Sequence, residues 1–118
     1  MVSMDRLLRR ADFLAAAGAL RAPGSAFLTQ ARDRSDRGAA RVGYTITKKA
    51  GNAVERNRIR RRLREAAREV VPRLGHEGYD YVLIARRAAL AAPYSLLVQE
   101  LERALGRLHR AQAEGRDG

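Results

Sequence analysis

Residues 51–68 read GNAVERNRIRRRLREAAR, and the last thirteen of them hold seven arginines with a single acid, Glu65, among them. The segment opens with a helix-start signal. Asn52 is a good N-cap, because its side-chain oxygen can accept from an otherwise unpaired amide in the first turn. Glu55 stands three residues later, the spacing from which a carboxylate reaches back to the cap's own amide. The helix is therefore expected to begin at Ala53. Ile59, Leu63, Ala66, Ala67 and Val70 recur at three- and four-residue steps and form one apolar stripe. Pro72 and Gly75 either limit the helix near Val71 or leave a proline kink followed by another turn.

On a projection of about 3.6 residues per turn, Asn57, Arg61, Arg64 and Arg68 lie nearly opposite Ile59, Leu63 and Val70, with Arg58 and Arg60 flanking them. This strip is costly in isolation. Arginines 56 and 60, 58 and 62, 60 and 64, and 64 and 68 are like-charge pairs at i,i+4, each costing about 0.2–0.5 kcal/mol. Lys48, Lys49, Arg56 and Arg58 also crowd the helix N-terminus, where the macrodipole disfavours each cation by about 0.3–1 kcal/mol. A phosphate backbone along the strip reverses the sign, since each neutralised phosphate releases counterions. The segment therefore reads as a nucleic-acid surface.

Outward from this helix, residues 41–47 (RVGYTIT) alternate, with Val42, Tyr44 and Ile46 on one side and Gly43, Thr45 and Thr47 on the other. Residues 25–32 (SAFLTQAR) read as a strand, and the turn DRSDRG leads to the expectation that the two strands pair as an antiparallel hairpin. Residues 9–20 have helix-forming composition and are ended by Pro23 and Gly24. Downstream, residues 79–85 (YDYVLIA) suit a strand buried on both faces. Pro93 opens a last helix with Leu97, Leu101, Leu105 and Leu108 as its stripe, and residues 109–118 are expected to form a flexible tail. With room for a further short strand near residues 22–30, the order is about α-β-β-β-α-β-α. This is an α+β class, a small sheet packed by helices, in one domain over residues 1–118.

The composition agrees. Lys and Arg total 24 against 13 Asp and Glu, a formal charge of +11, which calls for a polyanionic partner. The absence of cysteine excludes disulfides and thiolate chemistry. No apolar run approaches the roughly 18 residues of a membrane span, so a cytoplasmic protein without membrane partners is expected.

The run TKKAGNAVERNRIRRRLREAAR, residues 47–68, resembles the signature of the bacterial ribonuclease P protein subunit, with two lysines, Gly-Asn-Ala-Val, and Arg-Asn-Arg opening an arginine-rich helix. LLRRADF (7–13), RVGYTITKK (41–49) and DYVLIARRAA (80–89) are similar to further family segments in the same order, so the resemblance covers about residues 6–108. It implies an α/β sandwich with a left-handed β-α-β crossover through the arginine helix. It further implies a protein that joins a catalytic RNA to remove the 5′ leader of precursor tRNA, with magnesium serving the RNA's reaction.

Carried over by position, Lys48, Lys49, Asn52, Arg56, Asn57, Arg58, Arg60, Arg61, Arg62, Arg64 and Arg68 would face the RNA subunit. Phe13 and Phe27 would offer stacking faces to the leader in a cleft between the first helix and the sheet. Family members often carry further aromatics where this chain has Ala17 and Gln30, which implies weaker or less base-specific leader contacts.

A protein-borne nuclease site would need clustered carboxylates holding metals, or a placed histidine. Here the acids are scattered, and His76 and His109 are expected at the surface without close partners, so no catalytic residue is assigned. The alternative reading is a general RNA-binding or ribosome-associated basic protein. A DNA-binding basic helix is disfavoured, because Pro72, Gly75 and Gly78 interrupt the leucine heptads it would require.

Overall fold

The computed structural model describes residues 1–117, with side chains described through Glu114. Its strands are β1 (Met4–Arg6), β2 (Leu20–Ala22), β3 (Phe27–Asp33), β4 (Ala40–Thr45) and β5 (Tyr79–Ala85). Its helices are α1 (Arg10–Ala17), α2 (Ala53–Leu74) and α3 (Tyr94–Asp117), with short 3-10 turns at Lys48–Ala50 and Arg87–Leu90. The sheet order is β1-β4-β5-β3-β2. The expected order holds, with β1 added in front of it.

β5 occupies the centre of the sheet, antiparallel to β3 and parallel to β4. The expected hairpin between β3 and β4 therefore does not form. An apolar strand left at an edge would expose unpaired backbone groups beside two hydrophobic faces, whereas insertion between β3 and β4 gives it a ladder on each side. The β3–β4 turn arches over the entry to β5: the Arg34 amide donates to the Gly78 carbonyl and the Gly78 amide donates to the Gly38 carbonyl, both at 2.8 Å. Gly78 has φ +75°, and a Cβ there would lie 2.1 Å from the Asp36 carbonyl oxygen, so the crossing requires glycine.

Alternation along β5 sorts the two faces. Tyr79, Tyr81 and Leu83 meet Val42, Phe27 and Ala31 beneath α2 and α3, while Val82 and Ile84 meet Leu7, Phe13 and Ala16 beneath α1. Ile59, Leu63, Ala66, Ala67 and Val70 of α2, and Leu97, Leu101, Leu105 and Leu108 of α3, are buried as their spacing requires.

α2 begins with both halves of the capping box. The Asn52 side chain accepts from the Glu55 amide at 2.9 Å, and the Glu55 carboxylate accepts from the Asn52 amide at 3.0 Å. The helix continues through Pro72 to Leu74, and the Val2 amide donates to the Pro72 carbonyl at 2.9 Å. α3 likewise continues past His109, where a tail was expected, as far as Asp117, and Gly118 lies outside the described residues. Ala111, Gln112, Ala113 and Glu114 in that segment favour helix.

Candidate nucleic-acid interface

α2 lies between the parallel strands β4 and β5 in the chain, so its N-terminus follows the end of β4 directly. The link is Lys48–Ala50 and then Gly51, whose φ of +149° is a glycine conformation. A Cβ on Gly51 would also approach Glu55 Oε1 to 2.7 Å. This turn sets the exposed Lys48 and Lys49 just ahead of the helix.

Along α2, Asn57, Arg58, Arg61 and Arg68 are exposed, and Arg56, Arg60 and Arg64 are partly exposed. Among the described residues, none of Arg56, Arg58, Arg60, Arg61, Arg64 and Arg68 forms an ion pair. Three of the nearby acids are engaged elsewhere, and Glu65, exposed on α2 itself, forms no ion pair among the described residues. Glu55 holds Arg87 at 3.0 Å, and this bond with the Asn52 amide keeps its carboxyl below the usual range. Glu69 accepts from the Tyr94 hydroxyl of α3 at 2.8 Å, and Glu102 of α3 pairs with Arg73 at 3.0 Å. Two predicted contact residues have structural duties as well. Asn52 spends its side-chain oxygen on the cap, and the Arg62 guanidinium donates to the Ala92 carbonyl, tying α2 to the turn before α3.

On the α1 face, Phe13 is half-buried against Leu7, Val82 and Ile84. Its ring fills the space above Gly43, where a Cβ would come within 2.5 Å of it. Phe27 requires a correction. It is 1% exposed and belongs to the core on the opposite face, under α3, so it is not available to a strand lying between α1 and the sheet. Strand parity explains this. Phe27 pairs with Ala85 and so shares the side of Leu83 and Tyr81, whereas Leu28 and Gln30 pair with Ile84 and Val82 and face α1.

A second cluster escaped the sequence reading. Asp80 is fully buried and accepts from Arg34 at 2.7 Å and from Arg41 at 2.7 and 2.8 Å, with Arg32 at 3.6 Å. Asp12 of α1 adds bonds to Arg32 at 3.3 Å and Arg41 at 3.5 Å, which pins the helix to the sheet. An isolated Asp in an apolar strand gives no sequence signal of its partners.

The histidines also depart from expectation. The His76 and His109 rings stack with centroids 3.5 Å apart. The Tyr81 hydroxyl accepts from the His76 amide at 2.9 Å and sits 2.7 Å from His109 Nε2, so its own proton is available to that nitrogen. Burial, with a smaller contribution from His76, pushes the His109 imidazole down to about 4. His109 therefore stays neutral at ordinary pH as an acceptor within a packed corner.

Among the described residues, no group of three or more His, Asp or Glu is placed to hold a metal ion, and no helix is long and apolar enough to cross a membrane. What remains is a class: small basic α+β proteins that display an unpaired arginine helix on a parallel β-α-β unit. The ribonuclease P family model matches residues 1–109. The chain is 52% identical over 107 residues to the ribonuclease P protein component of Ruegeria pomeroyi, covering 87% of this chain and 85% of that one. It is 48% identical over 110 residues to that of Paramagnetospirillum magneticum, covering 89% and 83%. The structure of the RNase P protein from Staphylococcus aureus superposes with a TM-score of 0.71 at 27% identity, covering 86% of this chain and 92% of that one. The chain belongs to the ribonuclease P protein component family.

Proposed function

We propose that the chain works as the protein subunit of ribonuclease P, binding the catalytic RNA through the strip from Lys48 to Arg68 and promoting endonucleolytic removal of the 5′ leader from precursor tRNA. The carrying observation is that, among the described residues, Arg56, Arg58, Arg60, Arg61, Arg64 and Arg68 of α2 form no ion pair, within the span matched by the family. Arginine suits the role, because its planar fork bonds two phosphate oxygens and stacks on bases. Magnesium is assigned to the RNA's reaction, as the family resemblance implies. The protein's part is to position substrate and to reduce repulsion between two polyanions. Phe13 remains the candidate stacking face for the leader in the cleft beneath α1, and the work is assigned to the cytoplasm.

The test is cleavage of 5′-labelled precursor tRNA by a bacterial ribonuclease P RNA at low magnesium, with and without the protein. Stimulation at the mature 5′ end is expected, and changing Arg56, Asn57 and Arg58 together to Ala should abolish most of it. Tight, salt-sensitive RNA binding without stimulation would favour a general RNA-binding protein instead.

A further inference from the structure

The cationic strip does not end on α2. β1 adds to the sheet edge in parallel with β4, with Met4 opposite Ala40 and Arg6 opposite Val42. Ala40 and Val42 belong to the core beneath α2, so this register directs Met4 and Arg6 to the same face. There a cavity of about 210 Å³ opens between the sheet edge and α2, lined by Met4, Arg6, Val42, Tyr44, Arg64 and Arg68, with Asp5 at its border. Its composition is divided. Met4, Val42 and the half-buried Tyr44 ring give an apolar floor, and three guanidinium side chains from two elements line the rest.

Among the described residues, Arg6, Arg64 and Arg68 have no carboxylate partner, although Asp5 is adjacent in the chain. Asp5 forms no ion pair among the described residues, and in the β1–β4 register it sits opposite Arg41, on the α1 side of the sheet by alternation. The Tyr44 phenol lies within the electrostatic reach of all three guanidiniums. A purely apolar ligand would leave three cations beside it uncompensated, and a bare anion would leave the floor unused. A nucleotide carries both a flat apolar face and a phosphate. β1 is also an edge strand, so the pocket mouth opens beside backbone that no neighbouring strand covers.

We propose that this pocket holds one unpaired nucleotide of a bound RNA strand, with its base against Tyr44 over Met4 and Val42 and its phosphate among Arg6, Arg64 and Arg68. The inference rests on the RNA-binding reading of α2 and assigns that strip a fixed end point. Paired regions would pass along Arg61 and Arg64, and an unstacked residue would turn into the sheet edge.

The experiment measures the affinity of ribonuclease P RNA and its salt dependence for the wild-type protein and for Arg61→Ala, Arg6→Ala, Tyr44→Leu and Tyr44→Phe. Arg61→Ala and Arg6→Ala should each weaken binding and reduce the salt slope by about 1. Tyr44→Leu should weaken binding by about 10-fold with the slope unchanged, since the ring supplies stacking and no charge. Tyr44→Phe should bind like the wild type. Wild-type affinity in Tyr44→Leu, or equal losses in the Leu and Phe variants, would overturn base stacking while leaving the arginine strip intact. If Arg61→Ala has no effect either, the RNA surface itself is misassigned.

A parallel amide-resonance titration separates the two sources of phosphate. A short single-stranded RNA should shift Arg6 and residues 42–44, and inorganic phosphate at matched ionic strength should not reproduce those shifts. Full reproduction by phosphate would reduce the pocket to an anion site and overturn the nucleotide.

Discussion

The molecule contains two concentrations of arginine that look alike in the sequence and behave as opposites in the fold. On the α1 face, Arg32, Arg34 and Arg41 converge on Asp80 and Asp12 at distances of 2.7–3.6 Å. On the outer face of α2, Arg58, Arg61, Arg64 and Arg68 have no ion-pair partner among the described residues. Charge supplied by the chain makes the first cluster part of the fold, and charge that must come from outside makes the second a surface. Arginine count alone does not separate them. The position of the carboxylates does.

The largest expected effect tests the internal cluster. Asp80→Ala removes the one acceptor that all three guanidiniums share at zero exposure. Breaking a buried network by deleting one partner costs about 3–5 kcal/mol. Urea denaturation should show the loss, and RNA affinity of the protein that remains folded should be unchanged. A variant nearly as stable as the wild type would mean that water replaces Asp80 readily and that the two clusters differ less than their geometry suggests.

The two phenylalanines sharpen the contrast between core and surface. Phe27→Ala should cost about 3–5 kcal/mol, because the ring is enclosed beneath α3. Phe13→Ala should cost clearly less in denaturation and more in the affinity for leader-bearing precursor tRNA than for mature tRNA. Equal stability losses in the two variants, with no leader effect, would make Phe13 a core residue too.

A third test uses pH at the corner where α3 meets β5. The His109 value is lowered from 6.5 to about 4, so the unfolded chain binds the proton first as pH falls. Stability from this group is present above about pH 6.5, is lost between 6.5 and about 4, and is gone below. The ring is only part-buried, so the loss should be about 1–2 kcal/mol rather than the full linkage value. His109→Phe should flatten that window relative to wild type in thermal melts. An unchanged slope would mean that His109 is solvated and that its stack on His76 is incidental.

These tests fall where the sequence was least informative. The α2 cap, its apolar stripe and the leucines of α3 were legible because each signal lies within a few residues of its partner. The Tyr79–Ala85 strand was legible from its apolar run, but its neighbours were not: adjacency favoured a β3–β4 hairpin, and only the need to cover both edges of β5 reverses that choice. Phe27 was misplaced because the parity of β3 depends on its register with β5. Asp80 with Arg34, and His76 with His109, are pairs 46 and 33 residues apart, and periodicity carries no information at such separations. β1 was missed because three residues are too few to show alternation.

The smallest effect isolates what the open cluster costs. Arg64 stands at i,i+4 from Arg60 and at i,i−4 from Arg68, is partly exposed, and forms no ion pair among the described residues. Arg64→Gln keeps much of the stem and the helix propensity while removing two like-charge pairs, so the free protein should gain about 0.5 kcal/mol. The same change should weaken RNA binding and lower the salt slope by about 1. Gain in one assay and loss in the other is the signature of a residue kept for a partner rather than for the fold. If Arg64→Gln loses stability instead, the strip is held together by internal interactions, and the two arginine clusters are alike after all.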